Sequence, residues 1–186
     1  MGDKLEMKKS LIITWENFQD QELVYPYYRL LEENFEVDIM SNKIGKIFGI
    51  MGTNMPSHKL ISDLQDPVIY EKYLKEYDVL VIPGGVKSLE KLRQEKKVLS
   101  FIKDWDSLGK VISSTCHGAQ MLISAKVVSG RKISGYYSLE DDINNAGAVY
   151  VNQPVVIDKN IVSSPHYDHM GIWMKKTLEC FYGKLQ

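Results

Sequence analysis

The chain has 186 residues, a formal net charge of −1, 44% hydrophobic residues and 25% charged residues. That length builds one domain with a sizeable core and leaves little room for a second. The near-zero charge offers no field to gather nucleic acid or an anionic membrane, and no apolar run approaches the ~20 residues that a bilayer span requires. The densest positive run, Arg93, Lys96 and Lys97, is mixed with Glu90 and Glu95 and reads as a solvated helical face. The two cysteines, Cys116 and Cys180, are too few for a disulfide framework and suit a reducing cytoplasm. No His and Cys spacing resembles a zinc site, so neither metal nor cofactor is expected. The first residues are charged rather than apolar, unlike a signal peptide, and residues 1–8 read as a flexible extension.

From the N-terminus, short β-rich runs alternate with helical patterns. Residues 10–14 form a buried strand by apolar continuity. Over 23–33, Leu23, Tyr27, Leu30 and Leu31 recur at helical spacing, with Pro26 near the first turn, where proline is tolerated. Residues 35–39 alternate as the next strand, and the Gly-, Ser-, Asn- and Met-rich stretch 41–60 reads as a hairpin or irregular excursion. A short helix over 68–75 leads to a fully buried strand over 78–82, ended by Pro83-Gly84-Gly85. Helices follow over 88–94 and 97–108, with Gly109 as a stop signal. A helix over 119–128, a short strand over 133–135 and a short helix over 139–146 come next. The runs 155–157 and 160–163 flank Asp158-Lys159 as a hairpin, and an amphipathic helix closes the chain over 168–181.

This alternation predicts an α/β fold, a doubly wound and mostly parallel sheet in a single domain with helices on both faces. Sites in such sheets lie beyond the carboxyl ends of the strands. That rule gathers residues 14–20, 83–88, 115–118 and 164–169 at one rim.

The segment Ser113-Ser114-Thr115-Cys116-His117-Gly118-Ala119 stands out on that rim. It follows the apolar run Lys110-Val111-Ile112 and precedes Gln120-Met121-Leu122-Ile123, which places a cysteine at the apex of a strand–turn–helix. Small residues two before and two after it, Ser114 and Gly118, leave room for the strained turn of a nucleophile elbow. A helix starting just beyond would aim N–H groups and a positive dipole end at the sulfur, favouring a thiolate. A cysteine at a strand end can equally be a small buried hydrophobe. The co-occurrence of small flanks and an adjacent histidine favours chemistry. Gly84 and Gly85, after their buried strand, can bring bare N–H groups close to a ligand and, with the His117 N–H, form an oxyanion site.

These pieces together resemble the ThiJ/PfpI superfamily, and within it the PfpI-type intracellular protease/amidase branch. Phe18-Gln19-Asp20-Gln21-Glu22-Leu23-Val24-Tyr25-Pro26-Tyr27-Tyr28-Arg29 is similar to the family's first loop and helix, Val81-Ile82-Pro83-Gly84-Gly85 to its glycine loop, and Cys116-His117-Gly118-Ala119-Gln120 to its elbow. Gly130-Arg131-Lys132 and the run 141–148 are similar to its later helix and strand. The resemblance implies a flavodoxin-like sandwich, homo-oligomers of at least two copies, and a small-molecule or peptide substrate. The activities it implies are peptidase, aldehyde-detoxifying hydratase or deglycase, and stress chaperone. It casts Cys116 as nucleophile and His117 as its base.

The family's third group is an acid. By position it resembles Glu90, reaching His117 of a neighbouring subunit, if one residue is inserted after Gly85; without the insertion Leu89 stands there. Where the family's Phe-Glu-Asp motif carries a glutamate that shares a proton with the sulfur, this chain reads Phe18-Gln19-Asp20. An amide can donate a hydrogen bond to a thiolate but cannot transfer a proton. The run Ser164-Pro165-His166-Tyr167-Asp168-His169 replaces an arginine-containing loop. In the related class I glutamine amidotransferases a late-strand histidine is the base, so His166, oriented by Asp168, is a further candidate; capping of the final helix is the plainer reading. Two functions follow: a cysteine-dependent hydrolase acting on a peptide, amide or reactive aldehyde, or a non-catalytic stress sensor or chaperone whose Cys116 is reversibly oxidised. A relative that binds a small ligand without turnover is the third.

Overall fold

The computed structural model describes residues 7–184. Of the expected extension, residues 1–6 lie outside the described residues. Lys8 is tied down, its Nζ donating to the Glu33 carbonyl at 2.7 Å and to the Tyr182 hydroxyl at 2.7 Å.

The chain runs β1 (Lys9–Ile13), α1 (Asp20–Glu32), β2 (Glu36–Ser41), β3 (Gly45–Phe48), β4 (Asn54–Ser57), β5 (Lys59–Leu60), α2 (Pro67–Glu76), β6 (Val79–Ile82), α3 (Val86–Leu92) and α4 (Lys96–Ser107). It continues through β7 (Val111–Thr115), α5 (Ala119–Ser124), β8 (Lys132–Ile133), α6 (Glu140–Asn145), β9 (Val149–Tyr150), β10 (Val156–Asp158), β11 (Ile161–Ser164) and α7 (Met170–Phe181). Seven strands form the central sheet in the order β10-β11-β7-β6-β1-β2-β5. Every pairing is parallel except the β10–β11 hairpin. The flavodoxin-like, doubly wound sheet is therefore present. The order reverses at β1, whose neighbours are β2 and β6, so the loops after β1 and β6 diverge and open a crevice at their carboxyl ends.

Period-2 alternation fills both faces of that sheet. Leu11, Ile13, Leu80, Ile82 and Ile112 pack under the helices from α2 to α6, against Leu74, Phe101, Trp105 and Leu122. Ile12, Val79, Val81, Val111 and Val162 pack under α1 and α7, against Leu23, Leu30, Trp173 and Leu178. Both faces being covered explains why the central strands read as continuous apolar runs.

Several boundaries differ from expectation. α1 starts at Asp20, so Pro26 lies inside the helix, where it lacks the N–H that would have bonded the Glu22 carbonyl. α5 stops at Ser124, because Lys126 adopts φ +61° and the chain turns there. The excursion over 41–60 is the antiparallel β3–β4 hairpin followed by the edge strand β5. Asp20 latches its tip: Oδ2 accepts from the Met51 N–H at 2.9 Å and Oδ1 from the Thr53 N–H at 2.9 Å.

Candidate active site

β7 delivers Cys116 to the rim and the backbone bends there. Cys116 has φ +55°, in the left-handed region that a residue with a Cβ occupies only at a cost of roughly 1–3 kcal/mol. A single 3-10 turn, Cys116–Gly118, then leads into α5. Gly118 permits the bend, since a Cβ there would stand 2.5 Å from the Ile82 carbonyl oxygen. The side chain that results is buried, 7% exposed.

The sulfur meets three groups. His117 Nδ1 lies 3.3 Å from Cys116 Sγ, so these chain neighbours are in contact. The backbone N–H groups of His117 and Gly85 point at the sulfur. The third group is the Glu22 carboxyl, from the first turn of α1: it and the sulfur flank Gly84, where a Cβ would stand 2.3 Å from Glu22 Oε2 and 3.2 Å from Cys116 Sγ. Glu22 is fully buried; its Oε2 accepts the Gly84 N–H at 2.8 Å, and its Oε1 has no hydrogen-bond partner.

Gly84 is fixed by crowding. A Cβ on it would stand 2.3 Å from Glu22 Oε2 and 2.7 Å from Cys116 Cβ. Gly85 has φ +111° and passes the chain against residues 17–19, where a Cβ would meet the Gln19 nitrogen at 2.7 Å. The Gln19 N–H donates to the Gly84 carbonyl at 3.2 Å, closing the crevice between the loops after β1 and β6.

The electrostatics differ from the expected helix-stabilised thiolate. Burial first, and the Glu22 charge second, push the Cys116 thiol up, while the His117 and Gly85 N–H groups pull it down. α5 has only six residues, so its dipole is small. Burial pushes Glu22 up from 4.5 to about 7, against the Gly84 and Cys116 hydrogen bonds. Two acids sharing one dry site titrate as a pair, and the pair takes on its first negative charge around neutrality. Burial lowers His117 below its usual 6.5, which keeps the imidazole neutral.

The residues singled out in the sequence separate here. Cys116, His117, Gly84, Gly85 and Gly118 converge. Gln19 does not join them through its side chain: Nε2 donates to Gln21 Oε1 at 2.8 Å in solvent. The carboxyl beside the sulfur is Glu22, three residues beyond Gln19. The missed signal is phase. Glu22 lies four residues before Pro26 and eight before Leu30, on the buried stripe of α1. The Gly84 N–H is spent on Glu22, which removes it from the expected oxyanion set.

His166 is not a polar neighbour of the sulfur among the described residues. It reaches His117 only through Tyr136: the His117 and Tyr136 rings stack at 4.7 Å, and those of Tyr136 and His166 at 6.2 Å. Glu90 is exposed on α3, and its side chain forms no hydrogen bond or ion pair among the described residues. Leu89 is fully buried. Cys180 is half-buried on α7, its thiol pushed up by burial. Among the described residues no group of three or more His, Cys, Asp or Glu is placed to hold a metal ion, and no helix is long and apolar enough to cross a membrane.

A buried cysteine on a left-handed elbow, at the switch point of a doubly wound sheet and against a buried carboxyl, defines a nucleophile-elbow α/β protein. Residues 8–180 match the DJ-1/PfpI family, and the chain belongs to that family. Deglycase PfpI of Pyrococcus furiosus is 36% identical over 168 residues, which cover 90% of this chain and 96% of that protein. Protein/nucleic acid deglycase 2 of Escherichia coli is 31% identical over 172 residues, covering 92% of this chain and 96% of that protein. Schizosaccharomyces pombe DJ-1 superposes with a TM-score of 0.83 at 19% identity, over 96% of this chain and 98% of that one, a likeness of fold alone.

Proposed function

We propose that this protein is a cysteine-dependent hydrolase of the deglycase type, with Cys116 as nucleophile, Glu22 as its proton partner and His117 as its base. The observation that carries the reading is the contact of one buried carboxyl with a cysteine held at φ +55°. When the shared proton sits on Glu22, the sulfur is a thiolate held by the His117 and Gly85 N–H groups and by the carboxyl O–H. The thiolate displaces the amine at the carbinol carbon of the adduct: the C–S bond forms as the C–N bond breaks, and the leaving nitrogen takes the Glu22 proton, relayed by the neutral His117 imidazole. The hemithioacetal left on Cys116 then breaks at its C–S bond, its hydroxyl proton passing through His117 back to the Glu22–Cys116 pair, and the freed aldehyde is hydrated by water. No metal or cofactor is needed for any of these transfers.

The relatives' names support adducts of reactive aldehydes as substrates. Cys116→Ala is expected to abolish release of free amine from methylglyoxal-treated Nα-acetyllysine, and Glu22→Gln to lower it at least ~100-fold, as loss of a general acid–base group does. Amine release by Cys116→Ala at the wild-type rate would end this reading. The 7% exposure of Cys116 also suits a sulfur that admits only small oxidants. If wild type releases no amine, yet peroxide adds oxygen to Cys116, the sensor function replaces the hydrolase.

Glu90 acts, on this reading, from a neighbouring copy in a homo-oligomer, because in its own chain it is exposed and unpaired among the described residues. Activity per subunit should then fall on dilution to monomer, and Glu90→Gln should lower the activity of the oligomer alone.

A further inference from the structure

Pro26 is a buried proline inside α1, beyond the first turn in which a helix ordinarily accommodates that residue. It brings no N–H to the helix ladder, and its ring crowds the carbonyl four residues back. That carbonyl belongs to Glu22, whose carboxyl lies beside the sulfur. The break in the ladder and the acid of the site therefore fall on one residue.

A second local tie is missing at the same end. Gln19, at the N-cap, makes no side-chain capping bond to the first turn of α1. What holds that turn is its surroundings. Asp20 accepts the Met51 and Thr53 N–H groups at 2.9 Å each, and Glu22 Oε2 accepts the Gly84 N–H at 2.8 Å. The Gln19 N–H reaches the Gly84 carbonyl at 3.2 Å. Beyond Pro26 the anchors are different. Leu30 is fully buried in the apolar layer, and Arg29 pairs with Glu33 at 2.7 Å along the helix. The two parts of α1 are thus docked separately, and Pro26 stands at the junction. The fit at the glycine loop is close, since Glu22 Oε2 and Cys116 Sγ meet across Gly84 with no room for a Cβ. A small tilt of the first turn therefore changes the approach of the carboxyl to the sulfur.

We infer that Pro26 is a positioning residue for the reaction: by breaking the helix ladder at the Glu22 carbonyl, it lets the first turn of α1 settle on Gly84 and sets the Glu22 carboxyl against Cys116. A residue with an N–H at position 26 closes the bond to the Glu22 carbonyl and draws the first turn back into line with the helix. The acid then withdraws from the sulfur while the helix gains a hydrogen bond. A proline kept for packing alone predicts neither change. The inference rests on Glu22 as the proton partner of Cys116.

Pro26→Ala in the whole protein tests it. The amide that the substitution introduces should be protected from hydrogen exchange, as a bond to the Glu22 carbonyl requires. The Glu22 charge pushes the thiol up, so its withdrawal should speed iodoacetamide labelling of Cys116 at neutral pH and leave Cys180 unchanged. The gain should be about twofold to tenfold, the change in thiolate that a shift of up to about one pH unit brings. Amine release should fall about tenfold to 100-fold in kcat with KM unchanged, as misplacement of a reacting group does. In a Glu22→Gln background, Pro26→Ala should change neither labelling nor kcat further. An unprotected amide, an unchanged Cys116 rate, a parallel rise at Cys180, or the same effect in both backgrounds overturns the positioning role. Should Pro26→Ala not fold, Pro26→Ser also brings an N–H and is read the same way. If Glu22→Gln alone leaves labelling and amine release at wild-type values, Glu22 is not the proton partner and the positioning role falls with it. If Glu22→Gln changes both and Pro26→Ala changes neither, the proton partner stands and only the positioning role falls.

Discussion

Glu22 is fully buried and Cys116 is 7% exposed, so the two share a largely desolvated site and their protons are coupled. Glu22 is pushed from 4.5 to about 7 by burial, which gives a stability prediction with a definite sign. A group whose folded pKa lies above its unfolded value contributes stability that is fully present below the unfolded value and is lost as pH rises through the folded one. The protein should therefore lose stability between pH 4.5 and about 7 from this group, and Glu22→Gln should flatten that slope. Urea midpoints across the range test it, and a parallel slope in the variant would assign the proton elsewhere. The same pair controls reactivity. Iodoacetamide should label Cys116 faster than Cys180 at neutral pH, and Glu22→Gln, which removes the charge that pushes the thiol up, should speed Cys116 alone. Mass spectrometry of the labelled peptides reads both, and equal slow labelling of the two thiols would remove the activated cysteine.

At the scale of elements, the site is a junction of loops that cannot move apart independently. The glycine loop after β6 touches Glu22 on α1 and Cys116 after β7 at once. Gly84→Ala would drive a methyl group into both, at 2.3 Å and 2.7 Å. We expect a stability loss of about 1–3 kcal/mol, as overpacking typically costs, together with loss of amine release. Thermal melts and turnover should fall together. If the melt alone moves, the Glu22–Cys116 contact survives the displacement. The β3–β4 hairpin is a second junction. Burial works against the Asp20 charge, but the Met51 and Thr53 hydrogen bonds outweigh it and hold the carboxyl below its usual range. Asp20→Ala should free both amides, costing about 1–3 kcal/mol for the donors left unmatched. Hydrogen exchange should rise at Met51 and Thr53 while the central sheet keeps its protection.

For the whole molecule, stability rests on two apolar layers pressed against one sheet. Trp173 on α7 is fully buried under β7 and β11, and Trp105 on α4 is fully buried on the opposite face. Trp173→Ala should cost about 3–5 kcal/mol, as deletion of a large buried ring does, and should lower stability without altering the pH dependence of Cys116 labelling. Chemical denaturation measures the first and the labelling profile the second. Away from the site, Arg131 pairs with Asp106 at 3.0 Å while Asn160 donates to the same carboxylate at 3.0 Å. This knot ties α4, the approach to β8 and the β10–β11 turn together at the end of the sheet remote from the elbow.

The sheet and the elbow were legible because their signals are local. Val79–Ile82 is an apolar run bounded by turn residues, and Cys116 lies between a strand pattern and a helix pattern only a few residues away. The identity of the acid was not legible by motif position. Gln19 occupies the expected place in the loop, but its backbone serves the crevice while its side chain leaves it. Helix phase, which puts Glu22 in line with Pro26 and Leu30, was the available cue. Strand order brought His117 and His166 to one rim, but the Tyr136 ring that stands between them, from the segment after β8, had no cue.

The amino-acid sequence by itself determined the alternating elements, the mostly parallel sheet and the apex position of Cys116, since periodicity and turn chemistry act over a few residues. Only the tertiary structure decided which carboxyl meets the sulfur, which glycine N–H is already engaged, and that burial rather than a helix dipole dominates the thiol. Those outcomes depend on loops brought together by strand order at the switch point, and desolvation exists only once the layers have closed over them.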